Sequence, residues 1–175
     1  KKPAQKNPRL GHGPMLTSQE LTKPPILWGL LCATIAMTAT FPPLAQHFDL
    51  TLLDGISSPQ LARETIAGFS AHQRIAHAWI TATLDVAYPL AYGFLFAGAT
   101  RRFFPRAGKY LALPPLLVIP VDLFEGLIQI LALLAMADWL ALKAAVTPLK
   151  LVLLASGLVT TVAGCGIWAY RRLRS

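Results

Sequence analysis

Six polar side chains stand in a row where the surrounding chain is apolar: Arg74, His77, Thr81, Asp85, Tyr88 and Tyr92, spaced 3, 4, 4, 3 and 4 residues apart. At ~100° per residue in a helix all six fall within roughly 80° of one another, with Trp79, Val86, Leu90 and Phe94 on the opposite side. A second row repeats the spacing with Asp122, Glu125 and Gln129, flanked by Gly126 and Ala132. A third holds Lys143, Thr147, Lys150, Thr161 and Trp168, with Gly157 and Gly164 on the same side. Carboxyls one turn apart on one face are what a proton carrier or a general acid uses, with tyrosine as a polar partner and lysine to hold an anion. Asp122, Glu125 and Tyr92 are therefore the candidate catalytic residues. The candidate ligand-binding or polar cluster is Arg74, His77, Asp85, Tyr88, Tyr92, Asp122, Glu125, Gln129 and Lys150. Three readings are open for it: a hydrogen-bonded cluster that only fixes helix register, a binding or catalytic site, and a path for ions or protons.

The elements that carry these rows are apolar enough to lie in a bilayer. Of 175 residues, 54% are hydrophobic and only 14% charged, which excludes a disordered chain and argues against an ordinary soluble domain. A bilayer core about 30 Å thick needs roughly 20 apolar residues per helix. Four stretches meet that length: 26 to about 45, about 77 to 100, about 110 to 137 and about 142 to 170. The expected fold class is thus all-α, an antiparallel bundle of four transmembrane helices. No stretch has the dyad alternation of a membrane barrel. The first helix is not read as a signal peptide, because a long basic leader precedes it and no small-residue cleavage site closes it. Pro42 and Pro43 are expected to kink or end it. No internal repeat is visible, which disfavours an inverted-repeat transporter.

Charge sets the expected orientation. Lys1, Lys2, Lys6, Arg9 and Lys23 precede the first helix. Arg101, Arg102, Arg106 and Lys109 join the second and third, and Arg171, Arg172 and Arg174 follow the fourth. The other two loops hold only Arg63, Arg74 and Lys143, so both termini are expected in the cytoplasm, as in a multi-pass protein of the bacterial inner membrane. The net charge of +8 is then a topology signal facing anionic lipid. Without stacking aromatics or a reading motif among the basic residues, nucleic acid is not an expected partner. Membrane lipids, other membrane subunits or a second copy of the chain are.

Residues 1–24 read as a mobile basic tail, with Pro3, Pro8, Pro14, Pro24, Gly11 and Gly13 and little apolar content. The transmembrane domain is placed at 25–175. In its first external loop, Ser58-Pro59 reads as an N-cap and first helical residue and Gly68 as a stop, predicting a short amphipathic helix over about 58–68. Ser70 and Gln73 read as a capping box that opens the second long helix.

Depth arranges the cluster as a ladder. By helical rise Asp85 lies ~12 Å inward of His77 and Lys150 ~10 Å inward of Lys143. Gln129, Glu125 and Asp122 lie ~14, ~20 and ~24 Å inward of Asp138. The rungs are then Lys150 with Asp85 and Gln129, Glu125 with Tyr88, and Asp122 with Tyr92. Lys150 is the one cation placed inside a span, and Asp85 is its expected partner. Three carboxyls against one lysine require either a cation such as Arg74 to reach in or one carboxyl to keep its proton.

Other candidates carry less. His12 and His47 read as solvated, and His72 and His77 are five apart, the wrong spacing for two ligands on one helical face. Asp49 and Asp54 read as loop polarity. Cys32 and Cys165 could meet but read as reduced, packed thiols; Trp28, Trp79, Trp139 and Trp168 fit interfacial positions. With no metal set, haem pattern, phosphate loop or nucleophile–base pair, no cofactor and no metal are expected.

The run Asp85-Val86-Ala87-Tyr88-Pro89-Leu90-Ala91-Tyr92-Gly93 resembles a group of small bacterial four-helix integral membrane proteins of uncharacterised activity. Their pattern is an arginine before helix two, Asp-x-x-x-Pro-x-x-Tyr-Gly on it, Asp-Leu-x-Glu on helix three and Thr-x-x-Lys on helix four. Arg74, Asp85, Pro89, Tyr92, Gly93, Asp122, Leu123, Glu125, Thr147 and Lys150 match over roughly 57–170; Phe124 and Gly126 depart from the usual leucine and asparagine. The resemblance implies the cluster and brings no reaction with it. The function expected is a non-catalytic accessory subunit or small-ligand-binding module of a larger membrane assembly. The alternatives are a membrane-embedded enzyme acting on a lipid or isoprenoid substrate, or a proton- or ion-conducting protein.

Overall fold

The computed structural model describes residues 20–174. Most of the basic tail, His12 included, lies outside them. The order is a 3-10 turn at Glu20–Thr22, then α1 (Pro24–His47), a 3-10 turn at Leu53–Gly55, α2 (Pro59–Gly68), α3 (Ala71–Phe103), α4 (Gly108–Leu111), α5 (Leu113–Leu133) and α6 (Leu140–Leu173). There is no strand among the described residues. Four segments are long and apolar enough to cross a membrane: Pro24–His47, Ala71–Phe103, Gly108–Leu133 and Leu140–Leu173. The architecture is an all-helical bundle with the span lengths of a multi-pass membrane protein, with α3 at the centre against α1, α5 and α6.

Local chemistry sets the helix ends. The Ser58 hydroxyl accepts from the Leu61 N–H (3.3 Å), Pro59 starts α2 and Gly68 ends it, as the sequence predicts. Ser70 and Gln73 form the reciprocal capping box at the head of α3, with bonds of 3.2 and 2.9 Å. Trp79, Val86 and Leu90 are exposed on the outer side of α3, as their spacing predicts. α5 and α6 come close to α3 over glycines. A Cβ on Gly93 would stand 2.9 Å from the Pro115 carbonyl oxygen and closer still to the Ile119 side chain. Such contacts let helices approach without a layer of side chains between them.

Several expectations are corrected. α1 runs on through Pro42 and Pro43 to His47, so the prolines do not end it. They lie in its last two turns, where few intrahelical bonds remain to lose. The third span stops at Leu133 rather than near 137, and Ala135, at φ 55°, turns the chain toward α6. Glu20–Thr22, assigned to the tail by composition, dock on α3, where Arg102 Nη1 donates to the Thr22 carbonyl (2.9 Å). Cys32 and Cys165 are free but exposed, not packed.

The loop between α1 and α2 folds inward. Leu53 is fully buried and, with Ile56, Ala62, Ile66, Ala78, Leu133 and Leu140, forms a compact apolar core that closes the α2 end of the bundle. The 53–57 segment thereby reaches the polar rows of α3, α5 and α6.

Candidate functional site

The rows converge on Glu125, whose side chain is wholly buried. Its Oε1 accepts from the Thr147 hydroxyl (2.8 Å) and lies 3.3 Å from Lys143 Nζ, while Oε2 lies 2.7 Å from Lys150 Nζ. Lys143 is 1% exposed and donates also to the carbonyl oxygens of Leu53 and Ile56, each at 2.9 Å. Its three N–H groups thus face three acceptors. Lys150 faces Asp122 (3.0 Å) and Asp54 (3.5 Å) besides Glu125. The Tyr92 hydroxyl donates to Asp122 Oδ2 (2.5 Å), and the Gln129 amide donates to Asp54 Oδ1 (2.9 Å).

The ladder is thus partly as read and partly re-paired. Asp122 with Tyr92 forms as expected. Lys150 does not pair with Asp85; its carboxylate partners are Asp54, Asp122 and Glu125. The reason is the zero point of the depth count. α5 ends at Leu133, not at Asp138, so Glu125 and Asp122 lie ~12 and ~16 Å below that end, level with Lys150 at ~15 Å below Leu140.

Arg74 does not join the cluster. It bonds the Phe69 carbonyl (3.3 Å) and borders a surface groove near Arg63 and Asp138. His77 is fully buried and one step removed: Nε2 accepts from the Leu53 N–H (3.3 Å), and Nδ1 lies 3.4 Å from the Thr81 hydroxyl, which in turn bonds Asp85. Tyr88 sits on the rim, where its hydroxyl accepts from Thr38 of α1 (3.0 Å).

Two members were not legible from spacing. Asp54 lies in a loop, and Lys143 stands in the third polar row but outside the proposed cluster, yet both are built into the site. The signal that could have found them is the run Leu50-Thr51-Leu52-Leu53-Asp54-Gly55-Ile56, too apolar to remain in water.

Beside the cluster lies a cavity of about 490 Å³. Asp54, Asp85, Asp122, Lys150, Tyr88 and Tyr92 supply its polar face. Leu52, Leu151, Leu154 and the ring of Phe41 form its apolar walls. It is bounded by α1 on one side and α6 on another. Asp54, Asp122 and Glu125 have oxygens within 4.8 Å of one another, the donor set of a cation site. The Lys150 ammonium holds their common ground. The chain matches no family model, no curated protein and no solved structure.

Proposed function

We propose that this is a membrane-embedded binding module that takes the polar head of a small amphiphilic ligand between α1, α3, α5 and α6. The observation that carries the reading is the cavity of about 490 Å³ with one charged face and apolar walls. A cluster that served only helix register would be filled by its own side chains. Clefts of a few hundred cubic ångströms with a few convergent polar groups are the usual form of a small-molecule site. A lipid-processing enzyme would use Lys150 to hold an anion, and here that ammonium faces three carboxylates.

The proposed setting is a bacterial inner membrane with both termini in the cytoplasm, supported by the basic residues at the α4 end and by the resemblance of the Asp-x-x-x-Pro-x-x-Tyr-Gly run to small bacterial membrane proteins. α1 has no buried residue and is the surface offered to lipid, to further subunits or to a second copy.

The test is the occupancy of the cavity in a lipid-retaining preparation, read by density and by native mass spectrometry. A bound amphiphile removed by Leu154→Trp is expected. A cavity that holds only water in every preparation would defeat the reading.

A further inference from the structure

The charge and ring arrangement around the cavity points beyond binding to the class of head group bound; this step rests on the ligand-binding reading above. The cluster holds four carboxyls, Asp54, Asp85, Asp122 and Glu125, against two ammoniums, Lys143 and Lys150. Lys143 is sealed on the far side by Glu125 and two backbone carbonyls. Lys150, the cavity's own ammonium, has a carboxylate oxygen within 3.5 Å in each of three directions. An anionic head such as a phosphate would have to take Lys150 from those carboxylates and enter a field of excess negative charge.

Asp85 has the opposite character. It lines the cavity, bonds Thr81 and makes no ion pair among the described residues. Next to it three aromatic rings follow one another edge to face: Phe41 to Tyr88 at 5.5 Å and Tyr88 to Tyr92 at 5.1 Å between centroids. A carboxylate with no ammonium or guanidinium within 4.0 Å, beside a row of aromatic rings, is the chemistry that recognises an ammonium carrying alkyl groups, by charge and by cation–π attraction. A bare metal ion would gain nothing from the rings or from so large a space. We propose that the cavity binds an alkylammonium head group, with Asp85 as its counter-ion, Tyr88 and Phe41 against its methyl groups, and Leu151 and Leu154 along its chain.

The test uses the full chain in nanodiscs of phosphatidylglycerol, which has no ammonium of its own, with octyltrimethylammonium as radiolabelled probe in equilibrium dialysis. Saturable one-to-one binding is expected, with no competition by octyl phosphate. Asp85→Asn is expected to weaken it about 30-fold or more, as loss of one partner of a buried charge pair does. Tyr88→Leu is expected to weaken it about fivefold while Tyr88→Phe does not, which keeps the test valid if Asp85→Asn fails to fold. Competition by dihexanoylphosphatidylcholine would identify a lipid head as the source, and competition by alkyltrimethylammonium alone a free organic cation; either supports the assignment. Saturable binding of octyl phosphate in place of the ammonium would overturn the head-group class and leave ligand binding standing. Saturable binding of neither, together with an empty cavity in lipid-retaining preparations, would overturn both.

Discussion

Two lysines on one helix, two turns apart, meet the same glutamate and are treated differently by the fold. Lys143 is enclosed by Thr147, Glu125 and the carbonyls of the 53–56 turn, with its side chain 2% exposed. Lys150 is 11% exposed and faces a cavity. The first half of the cluster has every ammonium donor matched to a protein acceptor, which is the form of a structural joint. The second has more carboxyls than cations and room for a molecule, which is the form of a site. Burial of charge alone therefore does not mark function in this molecule. The proposed site is set apart by charge excess together with adjacent volume.

The comparison can be broken most sharply at Lys143. Lys143→Met leaves the buried Leu53 and Ile56 carbonyls without their side-chain donor and removes one of the two ammoniums facing Glu125, and is expected to cost about 3–5 kcal/mol, read as a loss of folded yield and a lower melting temperature in detergent. Lys150→Met is expected to cost less, because water in the cavity can solvate the carboxylates it leaves; equal losses for the two lysines would erase the distinction. Within the open half, double variants locate the partner. Lys150→Met with Asp122→Asn should recover part of the single-variant loss, whereas Lys150→Met with Asp85→Asn should show no recovery. Recovery through Asp85 would mean that the ion pair first expected from the spacing forms in the membrane.

A smaller effect is expected from Thr147→Val, which removes one buried hydrogen bond to Glu125, at about 1–2 kcal/mol by denaturant titration. The smallest belongs to the surface pair Arg63–Asp138, joined at 2.6 and 3.3 Å. The hydrogen bond from Arg63 holds the Asp138 carboxyl below its ordinary value of 3.8, helped by the Leu140 N–H. A lowered folded value means that its contribution is full above pH 3.8 and is lost as pH falls through the lower value. Melting temperatures of wild type and Asp138→Asn should differ slightly above pH 3.8 and converge as pH falls through the lowered value.

What the sequence made legible follows from which signals are local. Ser58-Pro59, Gly68 and the Ser70–Gln73 box act within one turn, and the helix ends fall there. Trp79, Val86 and Leu90 face outward because period alone decides a helix face. Tyr92 finds Asp122 because both lie on the inner faces of neighbouring helices. Asp54 and the backbone partners of Lys143 depend on how a loop folds back, which no periodicity reports, and Arg74 turns to the Phe69 carbonyl at the head of its own helix. Lys150 was paired wrongly because depth was counted from a turn residue, Asp138, as though the helix reached it.

One consequence concerns the order in which the molecule is made. The carboxylates belong to the 53–55 turn, α3 and α5, whereas both ammoniums of the cluster stand on α6, which follows them in the chain; Lys143 bonds Leu53 across 90 positions. During synthesis three membrane segments and their acidic groups therefore precede any lysine that can compensate them. Ionised carboxylates in hydrocarbon are costly, and the acidic groups of α3 and α5 gain their compensating charge only when α6 arrives. α6 works as the fastener of the bundle. A nascent chain that ends before Lys143 would be the natural substrate for quality control.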